Sequence, residues 1–154
     1  MRARLAGRRR DRGNRGAAAV EFALIVPILL LIVVGILNFG VVLAQQISLN
    51  NAARQAARYA VVEGVTCGDI KTEGRAAAAT VGMDSAQVPI PVVTGGLGCG
   101  TDDTVKPCTG QLPGTDISVT MTRTGHSWLV TVPPFNLITV PKLEGVGVMR
   151  CEYS

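Results

Sequence analysis

Two groups of residues in this chain have the types and spacing for chemistry: a glutamate close to a glycine, and four cysteines. Glu21 is the fifth residue after Gly16 and stands at the head of a long apolar run. Over residues 22–37 the run holds no charged or polar side chain, so the carboxylate would lie at the edge of a hydrocarbon layer. Ionisable groups in that position are costly and usually have a function.

The four cysteines all follow the apolar run, which is typical of a domain in an oxidising compartment. They are Cys67, Cys99, Cys108 and Cys151. Two disulfides would typically add about 2–4 kcal/mol each to a small domain with a limited core. Three connectivities are open. We prefer Cys99 with Cys108, closing a glycine-rich loop, and Cys67 with Cys151, joining a helix end to the last strand. Zinc is the alternative, disfavoured because the chain has no C-x-x-C pair.

Other candidate groups do not assemble into a catalytic site. His126 beside Ser127 is more simply an exposed turn than half of a triad. Asp102 and Asp103 form a solvated or weakly cation-binding pair, because calcium needs several more oxygen ligands than this stretch presents. We therefore predict a protein that is not an enzyme and that uses no metal and no cofactor.

Charge is concentrated before Gly16. Seven arginines and one aspartate give this leader a net charge of +6, while the rest of the chain carries −2. A basic cluster beside an apolar run predicts a cytoplasmic flank, with the chain beyond residue 44 outside the cytoplasm. The pI of about 9.2 is therefore a property of the leader, and we predict membrane lipid rather than nucleic acid as the partner.

A long helix must position Glu21. Residues 22–44 predict a membrane span, interrupted only by Asn38, because about 20 apolar residues cross a bilayer. Residues 45–63 lack glycine and proline and predict a continuing stalk, capped by Gly64. Its alanines form a smooth face for close packing against the chain's own domain or another subunit. A signal peptide cut near Ala44 is disfavoured, because the apolar region is about twice the usual length.

The remaining chain predicts a small α+β domain. The pattern predicts a short helix over residues 70–81 with Asp69 as N-cap, and an edge strand over 88–93 because of its prolines. A long glycine-rich loop follows over 95–114. Alternation predicts a strand over 116–122 that forms a hairpin with 128–132, and a last strand over 145–151. Trp128 is expected to anchor the core.

The residues around Gly16 resemble a known processing signal. The sequence RGAAAVEF at residues 15–22 resembles the type IV prepilin signal, which an integral-membrane peptidase cuts after the glycine. The continuation through the apolar run, together with NNAARQAARYA at residues 50–60, is similar to the TadE family. These are minor pilins or pseudopilins of the tight-adherence (Flp) pilus and secretion machinery. The resemblance is specific over residues 15–64.

The resemblance implies a fold class and three segments. The fold is α+β, with a long N-terminal transmembrane helix that continues into a stalk and then a small antiparallel sheet, as in type IV pilin-like proteins. Residues 1–16 would be a cleaved cytoplasmic leader, residues 17–64 the transmembrane helix and stalk, and residues 65–154 the disulfide-stabilised outer domain.

The resemblance also implies site roles and partners. Prepilin peptidase would cut between Gly16 and Ala17, and Glu21, beside Phe22, would pair with the new amine of Ala17 during assembly. The expected partners are that peptidase, other pilin-like subunits and pilus assembly proteins. The alternative is an unprocessed single-pass membrane protein whose outer domain binds an envelope or extracellular partner.

Overall fold

The described part of the chain forms two helices and one three-stranded sheet. The computed structural model describes residues 11–79, 83, 87–124, 128, 130–131, 133, 137–139 and 141–152. Helix α1 spans Asp11–Ala60 and helix α2 spans Cys67–Ala77. The strands are β1 (Val92–Thr94), β2 (Asp116–Arg123) and β3 (Leu143–Arg150). The predicted α+β class, with a long apolar helix before a small antiparallel sheet, is confirmed.

The chain divides into two compact units, and the division falls inside α1. One unit ends at Leu37 and the other, here called the folded unit, is Asn38–Ser154. Residues 16–37 leave nearly every side chain exposed around the whole helix. Exposed apolar surface on all sides of a helix is typical of a segment that lies in an apolar surrounding. The segment boundaries after residues 16 and 64 stay predictions.

From Asn38 onward, α1 buries a single face. The buried positions recur at helical spacing. They are Asn38, Gln45, Leu49, Ala52, Ala53, Ala56, Ala57 and Ala60. The alanine face therefore packs within the chain's own domain, against two clusters that include Ile117 and Met121 of β2. The helix ends at Ala60, four residues after Ala56 and earlier than the predicted residue 63, and Gly64 makes a turn with φ of 80°.

The sheet has the order β1-β2-β3 and is antiparallel throughout. The alternation predicted for residues 116–122 is confirmed, since Ile117, Val119 and Met121 are all buried. The edge position predicted for 88–93 also holds, although the strand is the shorter β1. Its two prolines lie before it, where no ladder donor is needed.

The hairpin partner predicted for β2 is wrong. The partner is β3, which pairs from Asp116 with Arg150 to Arg123 with Leu143. Trp128 and Val130, from the segment predicted as that partner, lie outside any strand, because they are engaged with α1 instead. Leu129 and Val132 of the same segment, and Gly125 of the predicted turn, are outside the described residues.

The predicted start of the second helix is also wrong. Thr66, not Asp69, is the N-cap, and Asp69 is the third helical residue of a capping box. The hydroxyl of Thr66, and then its backbone N–H, donate to the carboxylate and lower the pKa of Asp69. The helix ends at Ala77 rather than at residue 81.

Glycines of β3 let the strand lie directly against the backbone of α1. A Cβ added at Gly145 would overlap the carbonyl of Leu49, and one added at Gly147 would overlap the carbonyl of Ala53. The opposite face of β3 carries Val146 and Val148, which share one side as predicted but are exposed. Close approach of helix and strand thus depends on residues that lack side chains.

Gly147→Ala should lower the free energy of unfolding by about 1–3 kcal/mol, because the methyl group must push β3 away from α1. Gly100→Ala is the matched control, since nothing lies within 4 Å of a Cβ there and its φ is not positive. Thermal and denaturant unfolding of the full chain in detergent measures the stability of both variants. Equal stability of the two variants would contradict this packing.

Candidate functional site

The predicted processing residues lie within α1 and not at a junction between elements. Gly16 is six residues into the helix, which begins at Asp11. Gly16, Ala17, Glu21 and Phe22 are all exposed. Ala17 and Glu21 are four residues apart, so they share one face of the helix. The structure therefore places the predicted cleavage site and the predicted assembly carboxylate side by side on one accessible surface.

Packing gives no reason for glycine at position 16. No atom lies within 4 Å of a Cβ built there, and its φ is not positive. A glycine inside a helix costs about 0.5–1 kcal/mol relative to alanine. The packing of the described residues therefore does not explain the glycine at this position.

Glu21 has no ion-pair partner among the described residues. Its neighbours Val20 and Phe22 are largely exposed apolar side chains. A carboxylate in such surroundings gains most from an ammonium group brought by another chain or created by cleavage. The geometry thus leaves Glu21 available for a contact that this chain, within its described part, does not make.

All four cysteines form disulfides, but the preferred connectivity is wrong. The bonds are Cys67–Cys99 and Cys108–Cys151. The loop after β1 does not close on itself, because it runs across the start of α2. There the backbone N–H groups of Cys67 and Gly68 donate to Val105 at 2.8 Å and Asp103 at 2.9 Å.

The same loop then meets the end of β3. The N–H of Gly114 donates to the carbonyl of Cys151, and the N–H of Cys151 donates to that of Thr115, both at 2.9 Å. Each disulfide therefore fastens one end of the loop to the body of the domain. Spacing along the sequence could not show this, because the pairing depends on where the loop crosses other elements.

The acidic pair of the loop has protein partners. Lys71 Nζ lies 2.6 Å from Asp103 Oδ1. Asp102 accepts hydrogen bonds from the hydroxyl and backbone N–H of Thr104, which lower the pKa of this carboxyl. Within the described residues no group of three potential metal ligands comes together. His126 and Ser127 lie outside the described residues.

Asn38 is a site residue that sequence reasoning missed. Its side-chain Nδ2 donates to the carbonyl of Val130 at 3.0 Å, and its Oδ1 accepts from the N–H of Val130 at 2.9 Å. Beside it, the rings of Phe39 and Trp128 meet edge to face with centroids 5.6 Å apart. The available signal was the polarity of Asn38, the one polar residue within the predicted span of residues 22–44.

Trp128 is buried, as expected of an anchor, but its contacts differ from the expectation. Its indole Nε1 donates to the carbonyl of Ile138 at 2.6 Å, and its ring packs on Phe39 of α1. It is therefore held between α1 and the chain before β3, apart from the two hydrophobic clusters under the sheet.

Peptide mapping of the unreduced protein should recover Cys67 linked to Cys99, and Cys108 linked to Cys151. Replacing Cys67 and Cys99 together by serine should lower the free energy of unfolding by about 2–4 kcal/mol, because the unfolded chain loses a cross-link. A peptide joining Cys99 to Cys108 would contradict the pairing.

Comparison with known proteins gives a match that lies within helix α1. The family model of TadE-like proteins matches residues 16–58. The match begins at Gly16 and ends two residues before α1 ends. No curated protein and no solved structure matches the chain.

Among the described residues, α1 holds one stretch, Gly16–Ala60, that is long and apolar enough to cross a membrane. The resemblance inferred from the sequence is confirmed by the family match. Residues 16–58 are similar to TadE-like proteins, and this similarity suggests a single-pass membrane protein associated with a tight-adherence pilus system.

Proposed function

We propose that the chain is a minor pilin or pseudopilin-like subunit of a tight-adherence pilus or related secretion system. It inserts as a single-pass membrane protein with its arginine-rich end in the cytoplasm, and prepilin peptidase cuts it between Gly16 and Ala17. The observation that carries this proposal is the family match that starts at Gly16, where the fold itself has no need of glycine.

Removal of the leader changes the physical behaviour of α1. The precursor begins with a net charge of +6, which holds that end of the helix at the cytoplasmic face. After cleavage the helix begins with a single ammonium group at Ala17. That group is one turn from Glu21, where subunits that meet side by side can bring amine and carboxylate together. Cleavage therefore makes available the cation that Glu21 lacks.

The role of the protein is assembly and not catalysis. The partners are membrane lipid, prepilin peptidase and other pilin-like subunits. Neither a nucleic acid nor a cofactor is required, because the chemistry of the site is one peptide-bond cleavage by another enzyme followed by ion pairing in a membrane.

Gly16→Leu should block processing while leaving the fold intact, because a peptidase pocket that accepts glycine excludes a branched side chain. Gly40→Leu is the matched control, since Gly40 also lies in α1 with nothing within 4 Å of an added Cβ. Each variant is co-expressed with a prepilin peptidase, and intact mass measurement gives the fraction that is cleaved. Cleavage of both variants to the same extent would contradict the proposed processing at Gly16.

Glu21→Gln should leave membrane insertion and cleavage unchanged while reducing incorporation into assembled pilus material about tenfold, since an ion pair in lipid is lost. Glu63→Gln, an exposed glutamate beyond the end of α1, is the control and should assemble normally. Shearing and quantitative immunoblotting measure the incorporated fraction. Normal assembly by the Glu21 variant would count against its role.

A further inference from the structure

Asn38 marks the point where α1 changes its surroundings. The residues before it are exposed around the whole helix, whereas Asn38 is 1% exposed and begins the buried stripe. Both polar atoms of its side chain are paired with the backbone of Val130. The first polar side chain after the apolar run therefore has both of its polar atoms hydrogen-bonded within the folded unit.

The segment that hydrogen-bonds Asn38 presents apolar side chains on its outside, together with Phe39 of α1. Its hydrogen-bonded polar groups lie inside. Leu137 is 80% exposed, Ile138 is 48% exposed and Phe39 is 53% exposed, while Trp128 between them is 6% exposed. The indole N–H of Trp128 is bonded to a carbonyl, so this largely buried ring adds no unpaired donor beneath the exposed apolar side chains. We call Phe39, Trp128, Val130, Leu137 and Ile138 the collar.

The sequence around the collar is consistent with a lipid surface. No aspartate, glutamate, lysine or arginine occurs over residues 124–141. Charged side chains resume at Lys142, which pairs with Glu144 at 2.7 Å. About a quarter of the residues in a typical soluble domain are charged. Tryptophan, by contrast, is enriched where a protein meets the headgroup region.

We propose that the collar rests on the interface of the same membrane that α1 crosses, so that the hydrocarbon ends at Leu37 and not at Ala44. The collar lies near the end of the apolar segment, because Asn38, which is hydrogen-bonded to Val130 of the collar, follows Leu37 directly in the chain. This inference needs only the insertion of α1, and it holds whether or not the chain is cleaved or assembled.

The alternative boundary at Ala44 is physically unfavourable. It would place Asn38 about 9 Å inside the hydrocarbon, at 1.5 Å per helical residue. The irregular backbone at Val130 and Ile138 would then be immersed with it, and irregular backbone exposed to lipid does not occur in the hydrocarbon region. A span over residues 17–37 is about 20 residues, which matches a core of about 30 Å.

The single tryptophan of the chain makes the collar directly measurable. The full-length protein is reconstituted in phosphatidylcholine vesicles whose acyl chains carry bromine either near the headgroup or near the methyl end. Alkaline carbonate extraction first verifies insertion. We expect about a twofold loss of Trp128 emission with the shallow bromines and a smaller loss with the deep ones, as for an interfacial indole. Unchanged emission, or stronger quenching by the deep bromines, would overturn the proposal.

A second measurement leaves Trp128 in place. Leu137→Cys and Leu112→Cys are matched, because both leucines are 80% exposed and Leu112 lies in the loop before β2. With the four native cysteines in disulfides, each variant offers one thiol for a nitroxide label. The label at position 137 should be relaxed mainly by oxygen and the label at 112 mainly by a water-soluble nickel chelate. Equal nickel accessibility at both positions would refute the collar. Either result is independent of processing at Gly16.

Discussion

The paired hydrogen bonds between Asn38 and the backbone of Val130 are the constraint on which the arrangement of the folded unit depends. They occur where a helix that is apolar on every side becomes a helix with one buried face. A buried amide left without partners would cost about 1–3 kcal/mol, so this position fixes the register between α1 and the chain before β3. The edge contact of Phe39 with Trp128 extends the same junction.

Beyond this junction, the folded unit combines two hydrophobic clusters with a close approach of helix and strand backbones. The backbone of α1 lies directly against β3, at Leu49 for Gly145 and at Ala53 for Gly147. Two disulfides fasten the long loop of this domain at both ends. The folded unit begins at Asn38, directly after the apolar segment.

The sequence correctly predicted the elements that depend only on the residue pattern within the element itself. The alternation of Ile117, Val119 and Met121 defines β2, and the unbroken apolar run defines α1, because each depends on the period of one element. The partner of β2 could not be obtained this way, since residues 128–132 and β3 are both rich in valine. The choice is made by Gly145 and Gly147, whose significance appears only when α1 lies against them.

The same distinction holds for the sites. The roles of Gly16, Ala17 and Glu21 were predicted from a contiguous signal and stay predictions, and the family match begins at the same glycine. The disulfide pairing and the partner of Asn38 join residues separated by 32, 43 and 92 positions, where spacing carries little information.

The central claim is that a membrane helix beginning at Ala17 carries the folded unit. Intact mass and N-terminal sequencing of the protein from its native membrane test this claim most directly. The account predicts a mature chain that starts at Ala17. A chain that keeps its arginine-rich leader would contradict it in favour of an unprocessed membrane protein, and a chain that starts at Gln45 would show that the apolar segment is discarded.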